Sequence, residues 1–478
     1  MNPIAVENQK LGTRDWGLIR PAIHREIEGY ASATSINCGE RIELYVHTTS
    51  PTFTLDVFRM GWYRGLGARQ VFGPIEVRGT AQVIPIIDAE TGLVDCAWIN
   101  PFTLTTSQAD WTGGVYLARL TASNDGAQSY IIFVVRDDQR QSGILVQLGF
   151  TTYQAYNYWG GKSLYNWGSS EGKRASKVSF NRPFAANAQN PAAAYGMGAG
   201  EFLTNLQPHP DVYKISNAGW DYNMVRWLER EAYDVTYCTN LDTHCNNNIL
   251  LSQSAWLSIG HDEYWSWEMR EHVEAARDAG VHLGFFAANC AYWQIRFETS
   301  AASQTENRIM VCHKKASRDP NRTSGDTSRV TDKWRSESVN RPEESLIGVM
   351  YAGDPVDTDF VISTPQHWIF EGTELVAGSK LPGLLGYEVD CVQQSGPKNL
   401  QILAESPWIS LNDASKLGVA NMTIYTAASG AMVFATGSIQ WAWGLDDFNS
   451  PQLRTSRLNA TAQQATHNVL RRFLRKQP

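Results

Sequence analysis

The sequence has no apolar run near the roughly 20 residues that a bilayer-spanning helix needs. Its first residues, Met1-Asn2-Pro3-Ile4, have neither the basic nor the apolar part of a secretion signal. A cytoplasmic protein without membrane partners is therefore expected. Paired cysteines are missing too. The seven present (Cys38, Cys96, Cys238, Cys245, Cys290, Cys312 and Cys391) are odd in number and nowhere spaced C-x-x-C, which argues against a zinc knuckle and a complete disulfide framework. They are expected to be reduced and mostly buried. Positive charge is not in excess: 41 Lys and Arg against 48 Asp and Glu leave a net charge of -7, so no basic field draws in nucleic acid. Charge of either sign is sparse, 19% of residues against 43% hydrophobic, a balance that favours a packed core over disorder. Aromatic residues are abundant. The 17 Trp and 19 Tyr suggest an aromatic-walled pocket or interface, with sugar binding among the options.

A length of 478 residues exceeds what one core usually serves, so two domains are expected. Short alternating runs fill residues 30 to 137: 41–47, 53–59, 82–87, 114–120 and 129–135, with turn residues such as Asn124-Asp125-Gly126 between them. This pattern predicts an immunoglobulin-like β-sandwich over residues 1–137. A charged, small-residue stretch, Arg136 to Gly143, reads as a linker. From there compact apolar runs at 144–150, 233–238, 255–259, 281–286 and 431–435 alternate with helical spacing. Met224, Trp227 and Leu228 fall on one face of a helix over 223–231, and Ser266 can cap a helix from Trp267 to Ala279 that ends at Gly280. The expectation for residues 143–478 is an α/β domain with a doubly wound, mostly parallel sheet.

Such sheets bind ligands beyond the carboxyl ends of their strands, which directs attention to the polar residues there. After the first strand come Tyr153, Tyr156, Tyr158 and Tyr165; after the third, Gly260-His261-Asp262-Glu263; after the fourth, Asn289 and Cys290; and late in the chain, Gly386-Tyr387-Glu388-Val389-Asp390. Each has a bland reading. The tyrosines suit a pocket rim, Asn289 a turn, Glu388 an exposed strand end, and the His-Asp-Glu run a capped helix start. In combination they suggest a site. The spacing is not the H-E-x-x-H of a two-histidine zinc site, whereas phenolate and carboxylate oxygens are hard donors that suit ferric iron.

The segments Thr152-Tyr-Gln-Ala-Tyr-Asn-x-Trp-Gly-Gly-Lys-Ser-Leu-Tyr165, Arg226-Trp-Leu-Glu-Arg-Glu-x-Tyr-Asp-Val235, Gly260-His-Asp-Glu-Tyr-Trp-Ser266 and Gly386-Tyr-Glu-Val-Asp390, in this order, resemble the large (beta) subunit family of N,N-dimethylformamidase. The likeness spans most of residues 30 to 478. It implies a sandwich-like region beside a domain resembling the glutamine amidotransferase fold, and an amidohydrolase site with one iron ion, Fe(III), bound by two tyrosines and a glutamate. Carried over by motif, Glu263 is the glutamate ligand, Tyr156 the first tyrosine (with Tyr153 and Tyr158 as alternatives) and Tyr222 the second. The resemblance makes Glu388 the catalytic carboxylate and places His261 and Asn289 at the pocket as substrate-orienting groups. It implies a small amide substrate and a small partner subunit, and a homo-oligomer is compatible with it. One departure is the Ala- and Asn-rich insertion Phe184 to Tyr195, a long loop that could reshape the pocket.

Two other classes compete. Cys290 follows a buried strand as the nucleophile of an amidotransferase-like hydrolase would, although no glycine flanks it in an elbow-like motif. The Trp-rich loops and the sandwich would also suit a non-catalytic carbohydrate-binding protein.

Overall fold

A computed structural model describes residues 2–187, 190–207 and 216–475. The first 136 residues supply two sheets. Three strands, Ile27–Ala31, Arg41–Thr48 and Phe102–Thr105, pair antiparallel in that order. Five more lie in the order Ser35–Asn37, Gln128–Arg136, Gly114–Ala122, Thr52–Met60 and Ala68–Arg78, antiparallel except for the first pair. Arg41–Thr48 alternates buried and exposed, and its Ile42, Leu44 and Val46 share a core with Leu55, Val57, Leu120 and Phe133 of the larger sheet.

The larger sheet is covered on its other face as well. Phe58, Met60, Val115, Leu117, Ile132 and Val134 belong to one core with Ile144, Val146, Leu228 and Val235. Double burial explains why Tyr130 to Val135 is a continuous apolar run. The run at 82–87, expected to be a strand, joins no ladder. Pro85 lacks a donor, the Gln82 side-chain amide donates to the Val46 and Ile99 carbonyls, and Ile86 is 95% exposed.

The second half centres on a seven-stranded sheet. Its order is Val235–Thr239, Ile144–Leu148, Ala255–His261, His282–Ala288, Met432–Ala435, Leu417–Thr426 and Gln401–Ile409. The first five strands are parallel and the last two antiparallel. Of these, the first four are buried at every position. The antiparallel edge pair and the long hairpin of Met350–Val361 with Lys380–Cys391 lie outside the strands expected from the sequence. Helix Asp221–Arg230 packs beside the sheet, and helix Trp267–Asp278 starts where the Ser266 hydroxyl accepts from the Met269 N–H. A four-stranded sheet, ordered Lys177–Ser179, Ile309–Val311, Trp293–Glu298 and Tyr264–Ser266, adjoins the strand ends. No helix among the described residues is long and apolar enough to cross a membrane.

Candidate active site at the strand ends

Strand Ala255–His261 ends in a turn at Gly260, whose φ of 62 suits a residue without a Cβ. The next residues point in opposite directions. Asp262 turns into the fold, where it accepts from Gln147 Nε2 (2.7 Å), Asn240 Nδ2 (2.8 Å) and Ser258 Oγ (2.9 Å). Glu263 turns outward to two phenols: Tyr156 and Tyr165 each donate to its Oε2 at 3.0 Å. The two hydroxyls are 2.8 Å apart, the rings stack at 4.3 Å between centroids, and Tyr264 donates to the Tyr165 oxygen at 2.6 Å.

Helix Phe150–Tyr156 holds Tyr156 in place and is buried along its whole length. Thr152 Oγ1 accepts from the Glu263 N–H at 2.9 Å and Thr151 Oγ1 donates to the Tyr264 carbonyl at 2.8 Å, clamping helix and turn together. This settles the direction of the neighbouring tyrosines. Tyr153 hydrogen-bonds Asp221 and Tyr158 bonds the Ala186 carbonyl, so of the three clustered tyrosines only Tyr156 reaches Glu263.

Tyr222 is not part of this group, contrary to expectation. On helix Asp221–Arg230 its ring faces the N-terminal sheets, packed against Trp16, Phe202 and Phe448, and its hydroxyl donates to the Gly67 carbonyl at 2.5 Å. Its neighbour Asp221 takes the side facing Tyr153. The second phenol beside Glu263 is Tyr165, the last residue of the segment that carries Tyr156. The signal for it was its place in the loop after the same strand.

His261 lies between carboxylates. Its Nε2 is 3.2 Å from Glu388 Oε2 and 3.5 Å from Glu263 Oε2, and its Nδ1 faces Gln207 Nε2 at 3.4 Å. Burial alone would depress the imidazole pKa, but Glu388, Glu263 and Glu201 outweigh it and carry it up to about 10. Burial raises the Glu263 carboxyl despite the opposing pull of His261 and Lys314. Asn289 has φ 53 and donates its N–H to Asp390 Oδ1 at 2.8 Å; burial pushes Asp390 up to about 7. Three buried atoms here, His261 Nε2, Asn289 Oδ1 and Glu388 Oε2, have no hydrogen-bond partner among the described residues, an arrangement that native interiors rarely leave unexplained.

A cavity of about 260 Å³ opens onto these groups, walled by Tyr156, Tyr165, Trp167, Tyr292, Trp293, Tyr351 and Tyr387, with Glu263, Glu388, Asp354, Gln207 and Asn289 as its polar lining. Lys314, which the motifs do not single out, stands behind Tyr165 with its Nζ 3.4 Å from the ring centroid. Burial lowers this ammonium to about 8 although Glu263 favours its charge.

A larger cavity, about 550 Å³, lies between residues 21–29 and the segment from Tyr158 to Gly198, with mainly apolar walls. Phe184, Ala185, Ala186, Asn187, Pro191 and Ala194 of the Phe184–Tyr195 insertion line that cavity, and none of its described residues lines the one beside Glu263; Ala188 and Gln189 lie outside the described residues. Cys290 does not face the smaller cavity either. Its thiol lies 3.7 Å from Ser258 Oγ and 3.9 Å from the Ala288 carbonyl, and burial pushes its pKa well up, the wrong direction for a nucleophile. Among the described residues no three His, Cys, Asp or Glu side chains are grouped as a metal-ligand set; the hydroxyls that meet Glu263 are the phenols of Tyr156 and Tyr165.

The sequence matches the family described as N,N-dimethylformamidase beta subunit-like, C-terminal, over residues 54–455. No curated protein matches. Among solved structures, an AA10 lytic polysaccharide monooxygenase from Streptomyces lividans aligns at 18% identity with a TM-score of 0.14, covering 22% of this chain and 58% of that one; so poor a superposition carries no argument. The matched span contains Tyr156, Tyr165, Glu263, Lys314 and Glu388, and the chain belongs to the N,N-dimethylformamidase beta subunit-like family.

Proposed function

We propose that the chain is a hydrolase of small amides whose site holds one ferric ion between the oxygens of Tyr156, Tyr165 and Glu263. The observation that carries this reading is the contact of two buried phenols with one buried carboxylate at 3.0 Å. Burial and the Glu263 charge raise both phenol pKa values far above the ordinary, so the phenols remain neutral and share their protons with Glu263 unless a cation replaces those protons. Three hard oxygens around one point fit ferric iron and suit soft metals poorly. When bound, the iron supplies a Lewis acid for the amide carbonyl or for water.

The protein groups divide the remaining work. Glu388, which lines the cavity with its Oε2 3.2 Å from His261 Nε2, takes a proton from the attacking water and returns it to the departing nitrogen, a role worth about 10²–10⁴-fold in rate. His261, protonated at neutral pH by its carboxylate neighbours, offers Nε2–H to Glu388 and to the developing oxyanion. Asn289, also in the cavity lining, orients the amide. Seven aromatic rings exclude water and accept the alkyl groups of a small amide.

The same reading assigns the two N-terminal sheets to an immunoglobulin-like sandwich and the parallel sheet to the amidotransferase-like class, on strand order and direction. The family's description as a beta subunit supports a smaller partner subunit. The test is iron quantification with an optical spectrum on protein purified without chelator. About one equivalent and a visible phenolate-to-iron band are expected in the wild type, with both lost in Glu263→Ala; iron at full occupancy in that variant overturns the ligand assignment.

A further inference from the structure

We infer that Lys314 is a positioning residue for the iron site, setting how strongly Tyr165 donates to the metal by holding a positive charge over the face of its ring. The inference rests on the iron reading above. The ammonium lies 3.4 Å from the Tyr165 centroid, closer than to Trp293 (4.9 Å) or Tyr264 (5.3 Å), so Tyr165 is the ring it acts on. It is 8% exposed, and among the described residues it forms neither an ion pair nor a hydrogen bond. A buried cation is costly; the charge of Glu263 favours it from a distance, and the electron-rich faces of three aromatic rings are its contacts here.

The backbone is committed to the same end. Lys314 follows the short strand Ile309–Val311 with φ 60, a conformation unfavourable to a residue with a Cβ. His313 N–H, donating to Thr331 Oγ1 at 2.8 Å, pins the turn. Stacked on the ring face, the ammonium leaves the phenol oxygen in the ring plane to Glu263 and Tyr156. An electron-rich, iron-bound Tyr165 ring attracts a cation more than a neutral phenol does. A lysine that merely packed would have no effect on the electronic state of the site.

The experiment compares iron-loaded wild type, Lys314→Met and Lys314→Arg by iron content and visible spectrum per iron. In Lys314→Met the phenolate-to-iron band is expected at longer wavelength, because a phenolate without the neighbouring positive charge gives up an electron more readily; Lys314→Arg is expected near the wild-type position. Lys314→Gln gives the same readout if the Met variant does not fold. A band unmoved in an iron-loaded, charge-removed variant overturns this inference and leaves the iron reading standing. Wild-type protein with neither iron nor band overturns both.

Discussion

At the scale of single residues the site makes separable predictions. Glu388→Gln is expected to keep its iron by metal analysis and lose about 10²–10⁴-fold in turnover of a small amide, because the residue lines the cavity and lies beside His261, whereas the hydrogen bonds from Tyr156 and Tyr165 go to Glu263. Tyr165→Phe and Tyr222→Phe remove the same atom at two places. The first is expected to lose the visible band or the iron, while the second keeps both and loses about 1 kcal/mol of stability with its hydrogen bond to Gly67, measurable by urea unfolding. Glu263 and Tyr156 were legible because both follow buried strands, where the fold class directs ligands. Tyr222 misled because helical spacing shows that a face is buried without showing what it is buried against. Lys314 was silent in the sequence: a lysine near a strand end ordinarily signals a solvated surface.

At the scale of elements, the short helix Pro3–Glu7 is fastened by one buried carboxylate. Glu7 accepts from Arg69 Nε (2.6 Å), Tyr63 (2.7 Å), Lys10 (2.7 Å) and Thr112 (2.8 Å). Burial alone would raise its pKa, but Arg59 and the donated hydrogen bonds prevail and hold it at about 2 against an ordinary 4.5. Because the folded-state value is the lower one, the stabilisation is fully present above the ordinary value and disappears as pH falls through about 2. The shift corresponds to roughly 3 kcal/mol at about 1.4 kcal/mol per unit. Glu7→Gln is expected to be less stable at pH 7 and to lose less of its stability than wild type between pH 4.5 and 2, as chemical unfolding at both pH values would show. The run at 82–87 marks the limit of pattern reading at this scale: alternation alone made no strand of a run that contains Pro85 and whose Gln82 side chain bonds the Val46 and Ile99 carbonyls.

At the scale of the whole molecule, the two sheet systems share a core, and the sequence break at residues 136–143 does not divide it. A buried ion pair joins them: Arg59 of the five-stranded sheet donates to Glu229 of helix Asp221–Arg230 at 2.8 and 2.9 Å, with both side chains 0% exposed. Glu229→Gln would leave the guanidinium underpaired in the interior and is expected to cost about 3–5 kcal/mol, observed as an earlier single unfolding transition and not as one half melting alone. The sequence by itself determined the periodicities: alternating runs in the first third, buried runs with helices afterwards, and the glycine at 260 just before His261, Asp262 and Glu263. These follow from steric preferences and side-chain spacing within a few residues. Only the tertiary structure decided that Tyr165 and not Tyr222 joins Glu263, that Lys314 lies beneath them, and that Glu388 meets His261. Those contacts join residues far apart in the chain, and which side chains converge depends on strand order and helix rotation, which no local pattern encodes.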